Sequence, residues 1–272
     1  MAGLDPRDPP LATAPPETPP SEGPSHVSRF PAGSDRRLLA TEVGIVLALS
    51  LLPAAVDAII SLASAPLAGI QVFTFSNAQL AQQLSDIVFT TAPVALVFYL
   101  IRRNGEPRDA FGFQTDALAR DAAWGLLAAM AVSAVGIAIY LAAIRLDVNR
   151  FVVPVPPLGH WWTVPVLVLG AAESGLLEEV IVAGYLIRRL EQFGLGSAAA
   201  VVTAAVFRGA YHLYQGWGGF TGNLLLGLAF GTAFVKWRRT WPLVVAHVAV
   251  DTLAGVAYIV FRGHCIFGAC IK

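Results

Sequence analysis

Charge is scarce in this sequence: Asp, Glu, Lys and Arg supply 13% of 272 residues, and 18 basic residues balance 18 acidic ones. That balance gives a nucleic-acid or acidic-substrate partner no electrostatic support. The first thirty-odd residues contain no apolar stretch long enough for the core of a secretory signal. No His-Glu-x-x-His pair occurs, so the commonest helical zinc-protease signature is absent. Internal repeats are missing too, as are matched Gly/Pro-broken segments of the kind that mark inverted-repeat transporters. The only cysteines, Cys265 and Cys270, sit together near the C-terminus, where a disulfide and two free thiols are equally open readings.

What is abundant is apolar. Hydrophobic residues make up 56% of the chain, and several runs approach the roughly 20 residues that cross a bilayer. The expected fold class is an all-α polytopic membrane protein, with seven spans near 40–65, 82–101, 120–144, 162–187, 196–215, 219–236 and 241–261. Pro53 should kink the first. Residues 1–36 are rich in Pro, Ala, Ser and acids and read as a disordered cytosolic tail, because such a composition buries too little apolar surface to offset chain entropy. The remaining divisions are N-terminal transmembrane helices over 37–159, a core over 160–261 and an outer tail over 262–272.

Basic residues fix the orientation. With the N-terminus inside, Arg36, Arg37, Arg102, Arg103, Arg188, Arg189, Lys236, Arg238 and Arg239 fall on the cytosolic side with Arg7, Arg29, Arg108 and Arg120. Only Arg145, Arg150, Arg262 and Lys272 fall outside, as the positive-inside rule requires of a plasma-membrane protein with a cytosolic N-terminus. The lipid bilayer is therefore the first partner; no oligomeric state follows.

Against this background the ionisable residues inside spans stand out: Asp57 and Asp86, then Glu173, Glu178, Glu179, Arg208, His212, His247 and Asp251. Each costs several kcal/mol in hydrocarbon unless it is paired or faces a watery cavity, so intramembrane charge marks function by default. His247 and Asp251 in "HVAVD" share a helix face, as do Arg208 and His212 in "RGAYH". Glu178 and Glu179 point about 100° apart, so the two border one cavity in different roles. A polar pocket between helices satisfies all three spans.

These motifs resemble the CPBP intramembrane proteases, the CAAX-processing and bacteriocin-processing group also called Abi. Members carry Glu-Glu-x-x-x-Arg, then Phe-x-x-x-His, then His-x-x-x-Asn/Asp on successive core helices. "EEVIVA" matches the first except for Ala183 in place of the arginine; "RGAYH" matches the second except for Arg208 in place of the phenylalanine; "HVAVD" matches the third. The two departures read as one change: a cation lost at Ala183 and regained at Arg208, which is expected to reach across and pair with Glu179.

The resemblance implies an intramembrane endopeptidase acting on a peptide or protein substrate, itself membrane-anchored in some members. Its site would comprise Glu178 as base, His212 holding the water, His247 donating to the oxyanion and Asp251 orienting that imidazole, with Glu179 and Arg208 in support. No cofactor is favoured. A zinc reading would use Glu178, His212 and His247 as ligands around an open fourth position. The competing functions are a catalytically silent scaffold or partner-binding protein, motivated by Ala183, and a transporter using the same groups as a relay.

Other polar residues have blander expectations. Glu173 lines the cavity or pairs helices; Tyr211, Tyr214 and Gln215 shape the pocket or belong to an aromatic belt. Gly227 and Gly231 permit close helix packing, with Asn223 bonding between helices. His26, His160 and His264 are solvated, and Asp57 and Asp86 have no catalytic role.

Overall fold

The computed structural model describes residues 36–51, 54–55, 58–59, 80–146, 155–156, 158–262, 265–266 and 269–270. The expectations for residues 1–35, Pro53, Asp57 and His264 lie outside them. The described chain is helical apart from an antiparallel pair of two-residue strands, β1 (Cys265–Ile266) and β2 (Ala269–Cys270), which sets Cys265 opposite Cys270.

Helix α1 spans Arg36–Leu49, α2 Leu80–Thr90 and α3 Ala92–Arg103. The span expected near 82–101 is thus two helices, parted at Thr91 where Pro93 opens the second; proline lacks the N–H that would continue the ladder. Helix α4 runs over Leu118–Arg145. Helix α5 (Thr163–Glu178) passes into a π-helical stretch, Glu179–Leu186, and then into α6 (Ile187–Gln192) without a break. Helices α7 (Ser197–Tyr211), α8 (Trp217–Trp237) and α9 (Trp241–Phe261) complete the bundle. Among the described residues, three helical stretches are long and apolar enough to cross a membrane: Leu118–Ala138, Trp217–Trp237 and Trp241–Phe261. Large apolar side chains on α4, including Trp124, Leu127, Met130 and Ile137, point outward, which suits a helix bathed in lipid.

One end of the bundle is a layer of ion pairs that ties the helix ends together. Arg103 and Asn104 at the end of α3 hold Glu42 on α1. Arg189 holds Glu106 at 2.7 Å and lies between the rings of Phe111 and Tyr185. Arg238, after α8, makes two bonds to Glu191 on α6, while Ser197 at the start of α7 donates to the same carboxylate. Arg239, before α9, grips Asp121 at the start of α4. Every helix from α4 onward therefore begins or ends at this layer, and the direction of the chain alternates from one to the next.

The connector between α3 and α4 contributes more than polarity. Phe111 and Phe113 are fully buried, and Gly112, with φ of 77°, sits where a Cβ would lie 2.9 Å from the Thr240 backbone nitrogen. Phe113 also presses on Gly184 inside the π-helical stretch, where a Cβ would come within 2.8 Å of the ring. Gly227 and Gly231 face Ala205 and Val201, so α7 and α8 pack through these glycines as expected. Asn223, expected to bond between helices, instead donates to Gly219 O on its own helix, the carbonyl one turn back that a short amide side chain reaches.

Candidate functional site

The two glutamates lie at the junction where α5 gives way to the π-helical stretch. A π turn, with bonds to the fifth residue back, widens the helix and re-aims its side chains; such turns recur at functional sites. Here Ile187 N–H reaches Val182 O across that wider turn. The whole stretch from Glu179 to Leu186 is buried, with Phe111 and Phe113 packed on Gly184. Glu178 and Glu179 are thereby held in the protein interior, not in lipid.

Arg208 reaches them from α7. Its Nη1 lies 2.6 Å from Glu179 Oε1 and its Nη2 lies 3.3 Å from Glu178 Oε2. The ion pair anticipated between Arg208 and Glu179 is present, and one guanidinium bridges both carboxylates. All three side chains are nearly or wholly inaccessible to solvent, so each depends on the others for its charge. The Arg208 aliphatic stem packs beside Gly227, and its guanidinium lies over the Phe230 ring.

His212 follows one turn later on α7. Its Nδ1 is 3.0 Å from the Arg208 carbonyl, an oxygen that can only accept, so Nδ1 is the donor of this pair. That Nε2 lies 3.9 Å from Glu178 Oε1. The gap is too long for a direct hydrogen bond and suits a single water touching both groups. Counting residues from Arg188 would put Glu178 and His212 at different depths. In fact α6 continues to Gln192, which places both at roughly 20 Å from the ionic layer.

His247, on α9, completes the cluster. Its Nδ1 is 2.8 Å from Glu179 Oε1 and 3.3 Å from Arg208 Nη2, while its Nε2 is 3.3 Å from Asp251 Oδ2. The imidazole is thus held between two carboxylates. Glu179 anchors it from the buried side, and Asp251, one turn along α9 and 41% exposed, holds the nitrogen that faces outward. The sequence assigned orientation to Asp251 alone; Glu179 is the nearer partner.

Tyr211 belongs to the cluster as well. Its hydroxyl donates to Glu178 Oε2 at 2.8 Å, and its ring is buried. The sequence left this tyrosine undecided between pocket and belt. Tyr214 accepts from Gln215, and Glu173, on α5, is partly buried. Asp86 on α2 is exposed, and His160 stacks on Trp162 at the exposed start of α5.

The zinc set suggested by sequence fits this geometry poorly. Both His247 nitrogens face carboxylates, and the Arg208 guanidinium lies against Glu178 and beside His247, where a dication would be repelled. Among the described residues, no three His, Cys, Asp or Glu side chains converge as metal ligands.

Carboxylates and imidazoles are thus brought together from three segments of an apolar helical bundle. Residues 160–253 match the family model described as type II CAAX prenyl endopeptidase, Rce1-like. The match runs from the loop before α5 into α9, takes in every residue of the cluster, and supports a likeness of this part of the chain to the CPBP/CAAX proteases. No curated protein and no solved structure matches the chain.

Proposed function

We propose that the protein is an intramembrane endopeptidase that hydrolyses a peptide bond of a membrane-associated substrate, using water activated by Glu178 and His212 without a metal. The observation that carries this reading is the 3.9 Å approach of His212 Nε2 to Glu178 Oε1 inside the segment that matches a family of endopeptidases. Water held there gives one proton to Glu178 as its oxygen attacks the scissile carbonyl carbon. In the neutral tautomer that its Nδ1 contact selects, His212 accepts a hydrogen bond from that water at Nε2. The carbonyl oxygen, now negative, takes the His247 Nε2–H in place of Asp251, whose exposure leaves it free to withdraw. Collapse breaks the C–N bond, and Glu178 returns its proton to the leaving nitrogen.

Arg208 supplies the charge that the family places at the position of Ala183. It pairs with Glu179, and Glu179 in turn anchors His247. The silent-scaffold reading rested on the missing arginine, and a guanidinium already bridging both glutamates removes its motive. We further propose seven crossings, a plasma-membrane location and a cytosolic N-terminus. The alternating helix direction and the gathering of basic residues in one ionic layer support this arrangement.

The test compares the membrane peptidome of cells making the wild-type protein with that of cells making Glu178→Gln. Cleavage products present only with wild type are expected. Identical peptidomes, in cells shown to hold both proteins folded in the membrane, would overturn the peptidase reading.

A further inference from the structure

We propose that Tyr211 is a positioning residue that fixes the plane of the Glu178 carboxylate so that one of its oxygens faces the water; this rests on the peptidase reading above. A carboxylate has two equivalent oxygens, and only one of them can face the water. In this cluster the two are made inequivalent. Oε2 accepts the Tyr211 hydroxyl at 2.8 Å and lies 3.3 Å from Arg208 Nη2, so its lone pairs are committed to α7. Oε1 is left toward His212 Nε2. Rotation of the carboxylate would break both contacts in a buried site, where a polar atom without a partner is costly.

The hydroxyl itself is held in place. Tyr211 is 4% exposed, its ring meets Phe207 edge-on with centroids 6.0 Å apart, and it lies 4.7 Å from the His212 ring. Tyr211 and His212 are adjacent at the end of α7, so the group that orients Glu178 and the group that meets Glu178 across the water move as one body. Arg208, one turn earlier, shares that helix end. Helix α7 therefore carries all three contacts to the base, and the register between α5 and α7 is what aligns the water.

This arrangement predicts a specific kinetic defect. Removing the hydroxyl leaves the ring, the packing and the Arg208–Glu179 pair, but it lets the Glu178 carboxylate turn. Turnover falls, because fewer molecules hold the carboxylate in the plane that points an oxygen at the water, while substrate binding is untouched.

The experiment measures kcat, KM and melting temperature in liposome-reconstituted protein, with a membrane-anchored peptide taken from the wild-type-dependent cleavage products. It compares wild type, Tyr211→Phe, Glu178→Gln and Tyr185→Phe. Tyr185→Phe removes a buried hydroxyl elsewhere in the bundle, beside Arg189. For Tyr211→Phe we expect kcat about tenfold or more below wild type, with KM within about twofold and melting within a few degrees. Tyr185→Phe should keep wild-type kcat. A Tyr211→Phe protein with kcat within twofold of wild type overturns the proposal, as does an equal loss in Tyr185→Phe. Should Tyr211→Phe fail to fold, Tyr211→Gln supplies a donor at the same place, and a folded Tyr211→Gln with no measurable turnover also counts against it. A wild-type arm that cleaves nothing overturns the peptidase reading itself and is distinguished by that arm alone.

Discussion

Arg239 and Arg208 each grip two carboxylates, yet the two are set in opposite surroundings. Arg239 binds the buried Asp121 and also Asp116 at the bundle end, and Asp116 is 68% exposed, so water can replace part of what the arginine provides. Arg208 binds Glu178 and Glu179 with neither exposed beyond 10%, and nothing else there can answer its charge. The first region fastens helix ends. The second, like the buried Arg189–Glu106 pair of the end layer, keeps charge where it costs several kcal/mol per group, but it alone sets imidazoles against the carboxylates. The difference separates architecture from chemistry within one bundle.

The largest expected effect falls on the inner region and on activity. Glu178→Gln and His212→Ala should each lower turnover at least about a hundredfold while the protein stays folded, as turnover assays beside circular dichroism in detergent would show. Inner-region stability comes next. Glu179→Gln leaves the Arg208 guanidinium buried without its main partner and should cost about 3–5 kcal/mol, whereas Glu178→Gln should not. Arg208→Phe should destabilise likewise, and adding Ala183→Arg should recover part of the loss by restoring the family arrangement. Equal melting temperatures for Arg208→Phe with and without Ala183→Arg would refute the exchange of positions.

The ionic layer should respond more weakly and without loss of specific activity. Asp121→Asn, at a buried position that accepts two bonds from Arg239, should cost about 1.5–3 kcal/mol in a denaturation series. A pH series sharpens the contrast further. Burial alone would raise the Glu191 carboxyl, but hydrogen bonds from Arg238 and Ser197 hold it below its usual 4.5. Its contribution to stability is therefore complete above pH 4.5 and is lost as pH falls through the depressed value. Melting temperature should drop on acidification below 4.5, and Arg238→Gln should flatten that drop. Smallest of all, Asp116→Asn should leave melting unchanged, since solvent already screens its contact.

The sequence revealed much of the inner region because charge in an apolar span has few options. Glu178, Glu179, Arg208, His212, His247 and Asp251 could be singled out by their cost, and the pairing of Arg208 with Glu179 by the resemblance, whose motif arginine is missing at Ala183. Tyr211 could not be, because tyrosine is at home in membrane interfaces and its hydroxyl carries no charge that demands a partner. The π-helical stretch was hidden for another reason: Gly184 within it is covered by the Phe113 ring and the Phe111 carbonyl, from a connector some seventy residues earlier. Two aromatics in a polar loop carry no local mark of that contact. The break at Thr91 was written in Pro93, whereas the alternation of helix ends at one ionic layer needed the pairs Arg189–Glu106, Arg238–Glu191 and Arg239–Asp121 to be seen together.

The central claim is that Glu178 activates water and does not itself attack the substrate. Its most direct test is a single turnover in ¹⁸O-labelled water with reconstituted protein in excess over peptide, followed by mass spectrometry of the cleaved peptide and of the protein segment that contains Glu178. The account predicts one ¹⁸O in the new C-terminal carboxylate of the product and none in Glu178. Label in the Glu178 side chain would mean an acyl-enzyme formed on that carboxylate and would contradict the account.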